Sequence, residues 1–247
     1  MLKVGVVGVG GISGAHIPVW EAMENAELTA ICDIRTERME KYEGKRKYTD
    51  FDEMLNNEEF DIIDICLPTY LHADFAVKAM ERGINVICEK PISLKEEDVE
   101  RVYSTAEKNN VKFMVAQVLR FWPEYELLKE IYETKKYGKL LSGTMTRLGC
   151  YPRWSWDGWM MDEREAVLYR LIFTFTILTL WFTLSVCRRF LTNTAQSVPI
   201  RTLFPSATTS ENFQSIPKHP GIHPAIRSQQ NSASSLKMQL LLTRTEK

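Results

Sequence analysis

Apolar and polar positions follow two different periods along the first half of the chain. Short apolar runs at 4–7, 28–32, 61–67, 85–88 and 111–116 have the composition of buried strands. Between them, helical spacing predicts helices over 11–24, 36–42, 72–82 and 94–109, the third stopped by Gly83. Strands separated by helices of this length predict right-handed crossovers and a parallel sheet. From Phe121 the period changes. Residues 124–133 predict an amphipathic helix and 138–149 a longer strand with alternating side chains. Trp154, Trp156 and Trp159 then crowd beside Pro152 and Gly158. After Tyr169 the pattern dissolves: 171–186 carry no charge, and 191–235 are rich in Ser, Thr, Pro and Gln, as in disordered segments.

This patterning predicts an α/β chain in three parts. Residues 1–120 form a Rossmann-type, doubly wound parallel sheet, 121–170 begin an α+β domain, and 171–247 are an anomalous tail. Composition sharpens the last division. The 247 residues are 45% hydrophobic and 26% charged, which suits a globular core. The formal net charge of −1 argues against nucleic acid as the main partner. That figure hides an asymmetry, because residues 1–163 carry −8 and 164–247 carry +7. Asp is absent after Asp162, and Gly221 is the only glycine after Gly158. Cys32, Cys66, Cys88, Cys150 and Cys187 show no CxxC or metal-ligand spacing, so no metal is expected and the location expected is the reducing cytoplasm. Gly5, Gly8, Gly10 and Gly11 break the opening apolar run, unlike a signal peptide. The apolar stretch at 171–187 falls short of the roughly 20 residues a membrane helix needs, so no membrane partner is expected.

The segment Gly8-Val9-Gly10-Gly11-Ile12-Ser13 follows the first strand and opens the first helix. Gly8 permits a tight turn, and Gly10 lets the backbone approach a pyrophosphate. The helix N-terminus beyond offers N–H groups and a positive dipole end to that anion. Ser13 stands where a third glycine is usual. Asp33 ends the second strand, where a carboxylate accepts hydrogen bonds from ribose hydroxyls and repels a 2′-phosphate. NAD is therefore expected over NADP, a preference Arg35 could soften by pairing a phosphate.

Three further motifs stand at strand ends: Pro68-Thr69-Tyr70-Leu71-His72, Glu89-Lys90-Pro91 and Arg120-Phe121-Trp122-Pro123. With the glycine loop, their order over residues 1–163 resembles the Gfo/Idh/MocA family of sugar and polyol dehydrogenases. The resemblance implies that Pro68, Thr69 and His72 border the nicotinamide half of the cofactor. It makes Lys90 the catalytic lysine, with Glu89 beside the ribose. An ammonium there can stabilise developing alkoxide charge and relay a proton. His72 could instead cap its helix. Gln117 is expected beside the cofactor, and Arg120, Trp122 and Trp159 beside a small sugar or polyol substrate. Core or interface packing stays open for the tryptophan cluster. The intact family implies a homo-oligomer.

The resemblance stops after Glu163. The family continues with a helix bearing an Asp…His-x-x-Asp signature whose histidine completes catalysis, whereas 171–180 contain neither His nor Asp. A frameshift between about Glu163 and Leu171 accounts for the lost Asp, the charge reversal and the low-complexity tail. Two functions follow: an NAD(P)-dependent dehydrogenase acting on a sugar or polyol carbon, or an NAD-binding module without catalysis.

Overall fold

Strand β1 (Leu2–Val7) sets the plan of the sheet. Successive strand residues point to opposite faces, so Val4 and Val6 enter one buried cluster and Val7 the other. In this computed structural model, residues 1–138 are described with their side chains. Beyond them, the backbone of three strands is described.

Five more strands join β1 in parallel: β2 (Ala26–Cys32), β3 (Arg46–Tyr48), β4 (Ile62–Ile65), β5 (Asn85–Cys88) and β6 (Phe113–Val115). Their order is β3-β2-β1-β4-β5-β6. The direction of winding reverses between β1 and β4, and open α/β sheets bind ligands at the carboxyl ends of such strands. Helices α1 (Ser13–Ala22) and α2 (Thr36–Met39) bury Ile17, Trp20 and Met39 with Val4, Val6 and Ile31. On the other cluster, α3 (Phe51–Asn57), α4 (Thr69–Met80) and α5 (Glu96–Lys108) contribute Met54, Ala76, Met80 and Val102. Two helix layers thus cover a doubly wound sheet, as expected.

Two elements escaped the sequence pattern. β3 has three residues, two of them exposed, at the edge of the sheet. α3 is capped by the Asp50 carboxylate, which accepts the Glu53 N–H at 2.7 Å. One predicted boundary also moves. Helix α4 starts at Thr69 rather than His72, because Pro68 takes the extended conformation just before it. The motif from Pro68 to His72 is therefore a helix start rather than a loop, and its first turn belongs to the site.

Residues 1–117 lie in one compact unit, and the described residues from Val118 onward in a second. The second contains a 3-10 turn at Val118–Phe121 and helix α6 (Pro123–Thr134), whose Tyr125, Leu128 and Ile131 are buried along one face. It also holds an antiparallel sheet of β7 (Leu140–Gly149), β8 (Ile222–Ala225) and β9 (Ser234–Thr243), in the order β7-β9-β8. Pro224 sits in the edge strand β8, where a missing ladder donor is tolerated. Of the expected tail at 171–247, only β8 and β9 are described; the remainder lies outside the described residues. Among the described residues no helix is long and apolar enough to cross a membrane.

Candidate functional site

The glycine loop between β1 and α1 is held from below and open above. Gly8 has φ +89°, and a Cβ there would lie 2.6 Å from the Cys66 carbonyl oxygen. Only glycine avoids both the strain and the collision. The Gly8 N–H donates to Cys32 O at 2.8 Å, and the Val9 N–H to Asp33 Oδ2 at 2.7 Å. Ser13 is buried, and its hydroxyl donates to Gly10 O at 2.8 Å. By contrast, a Cβ at Gly10, Gly11 or Gly14 would meet nothing within 4 Å. That open side, beside the N-terminal N–H groups of α1, is a fitting cradle for a diphosphate.

A cleft of about 570 Å³ runs past this loop. Asp33, Arg35 and Arg38 line the end beside β2, and Phe75 and Lys78 of α4 are also in the lining. Asp33 is 5% exposed and fully engaged. Besides Val9, it accepts the Arg35 N–H at 2.9 Å and Arg35 Nε at 3.2 Å, both on Oδ1. The Asp33 carboxylate is thus the brace of the glycine loop.

At the other end stand Thr69, Glu89 and Lys90. His72 backs this wall and is almost completely buried. Its Nδ1 lies 2.7 Å from Pro91 O and its Nε2 2.7 Å from Leu67 O, so it fastens the segment before α4 to the Lys90-Pro91 segment. Burial pushes its imidazole below the usual value, against the two carbonyls that favour protonation. One carbonyl per N–H would be satisfied only by the doubly protonated ring.

Beneath Glu89 lies a network that sequence reading did not anticipate. Asp64, in the middle of β4, is fully buried. Its Oδ2 accepts Trp20 Nε1 at 2.7 Å and His16 Nδ1 at 2.9 Å. His16 Nε2 reaches Glu89 Oε1 at 3.2 Å, and Glu89 Oε2 accepts the Lys90 N–H at 3.1 Å. The Asp64 hydrogen bond, supported by Cys66 and Glu89, pushes the His16 imidazole up to about 12, so it is an imidazolium. Burial pushes the Cys66 thiol up to about 12 as well. Among the described residues, His16, Asp64 and Cys66 bring potential metal-ligand atoms within 4.8 Å. Both imidazole nitrogens face carboxylates, Nδ1 that of Asp64 and Nε2 that of Glu89, which joins the three side chains into one network.

Of the contacts predicted within residues 1–117, all but Ser13 and Gln117 line the cleft. Ser13 is buried with its hydroxyl on the loop's own backbone at Gly10. Gln117 is half-buried just past β6, away from the cleft lining. Arg120 is exposed and Trp122 stacks on Tyr125 at 6.0 Å, both in the second unit. Trp159 lies outside the described residues.

Residues 2–117 match the model of the Gfo/Idh/MocA oxidoreductase family, NAD-binding Rossmann fold. Over this stretch, somewhat under half of the chain, the protein is similar to that family. Among its curated relatives, inositol 2-dehydrogenase of Salmonella paratyphi B is 30% identical over 147 residues, covering 57% of this chain and 44% of the relative. Glucose-6-phosphate 3-dehydrogenase of Bacillus subtilis is 28% identical over 145 residues, covering 58% and 41%. A solved structure, the WlbA dehydrogenase from Bordetella pertussis in complex with NADH and UDP-GlcNAcA, superposes with a TM-score of 0.56 at 28% identity. It covers 58% of this chain and 45% of that one. The chain spans less than half the length of these relatives.

Proposed function

We propose that the cleft binds NAD in preference to NADP, and that the whole protein moves hydride between this cofactor and a sugar or polyol carbon. The observation that carries the reading is the alignment of an open glycine loop, an acidic end at Asp33 and a Glu89-Lys90 end along one cleft. When bound, the nicotinamide supplies the hydride acceptor or donor. Gly10, Gly11 and the first N–H groups of α1 hold the diphosphate. Asp33 receives the adenosine ribose and disfavours a 2′-phosphate by charge repulsion. Arg35, already paired with Asp33, is the group that would relieve that repulsion.

In this reading Lys90, as the neutral amine, takes the carbinol proton while the hydride leaves for the cofactor, and as the ammonium returns that proton in the reverse direction. Thr69 and Pro68 form the wall against which the nicotinamide half packs. Inositol 2-dehydrogenase and glucose-6-phosphate 3-dehydrogenase among the relatives favour a polyhydroxylated substrate. The described thiols, Cys32, Cys66 and Cys88, are all free and buried, in keeping with a cytoplasmic enzyme. A homo-oligomer and a substrate domain spanning 121–170 belong to the same reading.

The second reading, a cofactor-binding module without turnover, is favoured by the absence of His and Asp from 171–180. Incubating the purified chain with NAD and a panel of polyols separates the two. NADH formation that disappears in Lys90→Ala supports the dehydrogenase. NAD binding without NADH formation supports the module, and full turnover by Lys90→Ala removes Lys90 from the mechanism.

A further inference from the structure

His16 stands on the first turns of α1, yet its two partners come from β4 and from the residue after β5, 48 and 73 positions away. Its side chain is 17% exposed, Asp64 not at all and Glu89 13%. Two carboxylates in so dry a setting call for a cation between them, and His16 stands between the two. Trp20 supplies Asp64 with a second donor, which fixes that carboxylate and leaves the imidazole aimed at Glu89. Glu89 is consequently held at both oxygens, by His16 on one side and by the Lys90 backbone on the other. The helix that opens on the glycine loop is thereby tied to the strand end that carries Lys90.

We propose that His16 is a positioning residue: bridging Asp64 and Glu89, it sets the Glu89-Lys90 end of the cleft at a fixed distance from the glycine loop. The role rests on the cofactor reading above. Its consequence is selective, because the network underlies one end of the cleft and leaves the Asp33 end to its own contacts. Loss of the bridge frees Glu89 and the Lys90 backbone, so the nicotinamide half loses its seat while the ADP half keeps the loop and Asp33. A histidine that merely stabilised α1 would affect both halves alike.

The test measures NADH and ADP binding to the full chain by calorimetry, in the unaltered protein and in His16→Gln. The glutamine keeps a donor but cannot bridge two carboxylates as a cation. NADH affinity is expected to fall about tenfold, with ADP affinity changed less than about twofold. Should His16→Gln not fold, Asp64→Asn, at a residue outside the cleft lining, weakens the same bridge from its buried side, and the same selective loss is expected. Parallel losses for both ligands, or undiminished NADH affinity in the folded variant, overturn the positioning role. Binding of neither ligand by the unaltered chain overturns the cofactor reading itself, and this role with it.

Discussion

Alanine at Gly8 and alanine at Gly10 are the same chemical change two residues apart, and they should fail in opposite ways. At Gly8 the new Cβ would lie 2.6 Å from Cys66 O and 2.7 Å from Cys66 C, backbone atoms of the neighbouring strand end. The φ of +89° adds strain. Left-handed backbone costs an L-residue about 1–2 kcal/mol, and overpacking a rigid neighbour about 1–3 kcal/mol. Together these give roughly 2–5 kcal/mol, a large part of the roughly 5–15 kcal/mol typical of a domain. At Gly10 a Cβ meets nothing and the backbone has no positive φ, so stability should change by less than about 1 kcal/mol. That methyl group instead enters the space assigned to the diphosphate. Urea unfolding and NADH calorimetry on both variants separate the effects. Gly8→Ala should unfold at markedly lower urea, whereas Gly10→Ala should unfold like the parent but bind NADH at least about tenfold more weakly. A Gly10→Ala variant that binds NADH as tightly as the parent would refute the placement of the diphosphate.

Other outcomes follow from the same geometry. Asp33→Ser removes the repelling carboxylate and leaves Arg35 unengaged by it, so the ratio of NADH to NADPH affinity should drop by roughly tenfold or more; an unchanged ratio would remove Asp33 from cofactor choice. The folded-state value of His16, raised from 6.5 to about 12, means that the folded chain keeps a proton the unfolded chain loses across that interval. Its stabilisation is complete below pH 6.5 and declines as pH rises. Unfolding free energy should therefore fall between pH 7 and 8.5, by up to about 1.4 kcal/mol per pH unit. His16→Gln should flatten that slope, and an identical slope in the variant would contradict the buried imidazolium. Cys66 and Cys88, buried and with thiols pushed up by burial, should resist a thiol reagent until the chain unfolds; rapid native labelling at Cys66 would place it at the surface.

Much of the sheet was legible because apolar runs such as Val4 to Val7 are buried on both faces, which leaves an unbroken signal. β3 was not, since an edge strand reading Arg-Lys-Tyr buries little. α3 carried a readable start, Asp50 three residues before Glu53 and then Met54 and Leu55, but it is only seven residues long. The chemistry divides in the same way. Gly8, Gly10 and Asp33 are recognisable locally, by spacing along one strand-turn-helix unit. His16, Asp64 and Trp20 are not, because their meaning depends on partners brought together by the sheet. One trace was present: Asp64 is a carboxylate inside an otherwise apolar strand, and a buried carboxylate requires a donor.

We propose one seat for a nicotinamide dinucleotide, formed by the loop after β1 and the ends of β2 and β5. Amide chemical shifts of the full chain, followed during titration with NADH, test it residue by residue. Saturable shifts at Gly10, Gly11, Asp33, Thr69 and Lys90 are the predicted result. Shifts absent from these amides, or clustered elsewhere in the chain, would contradict it.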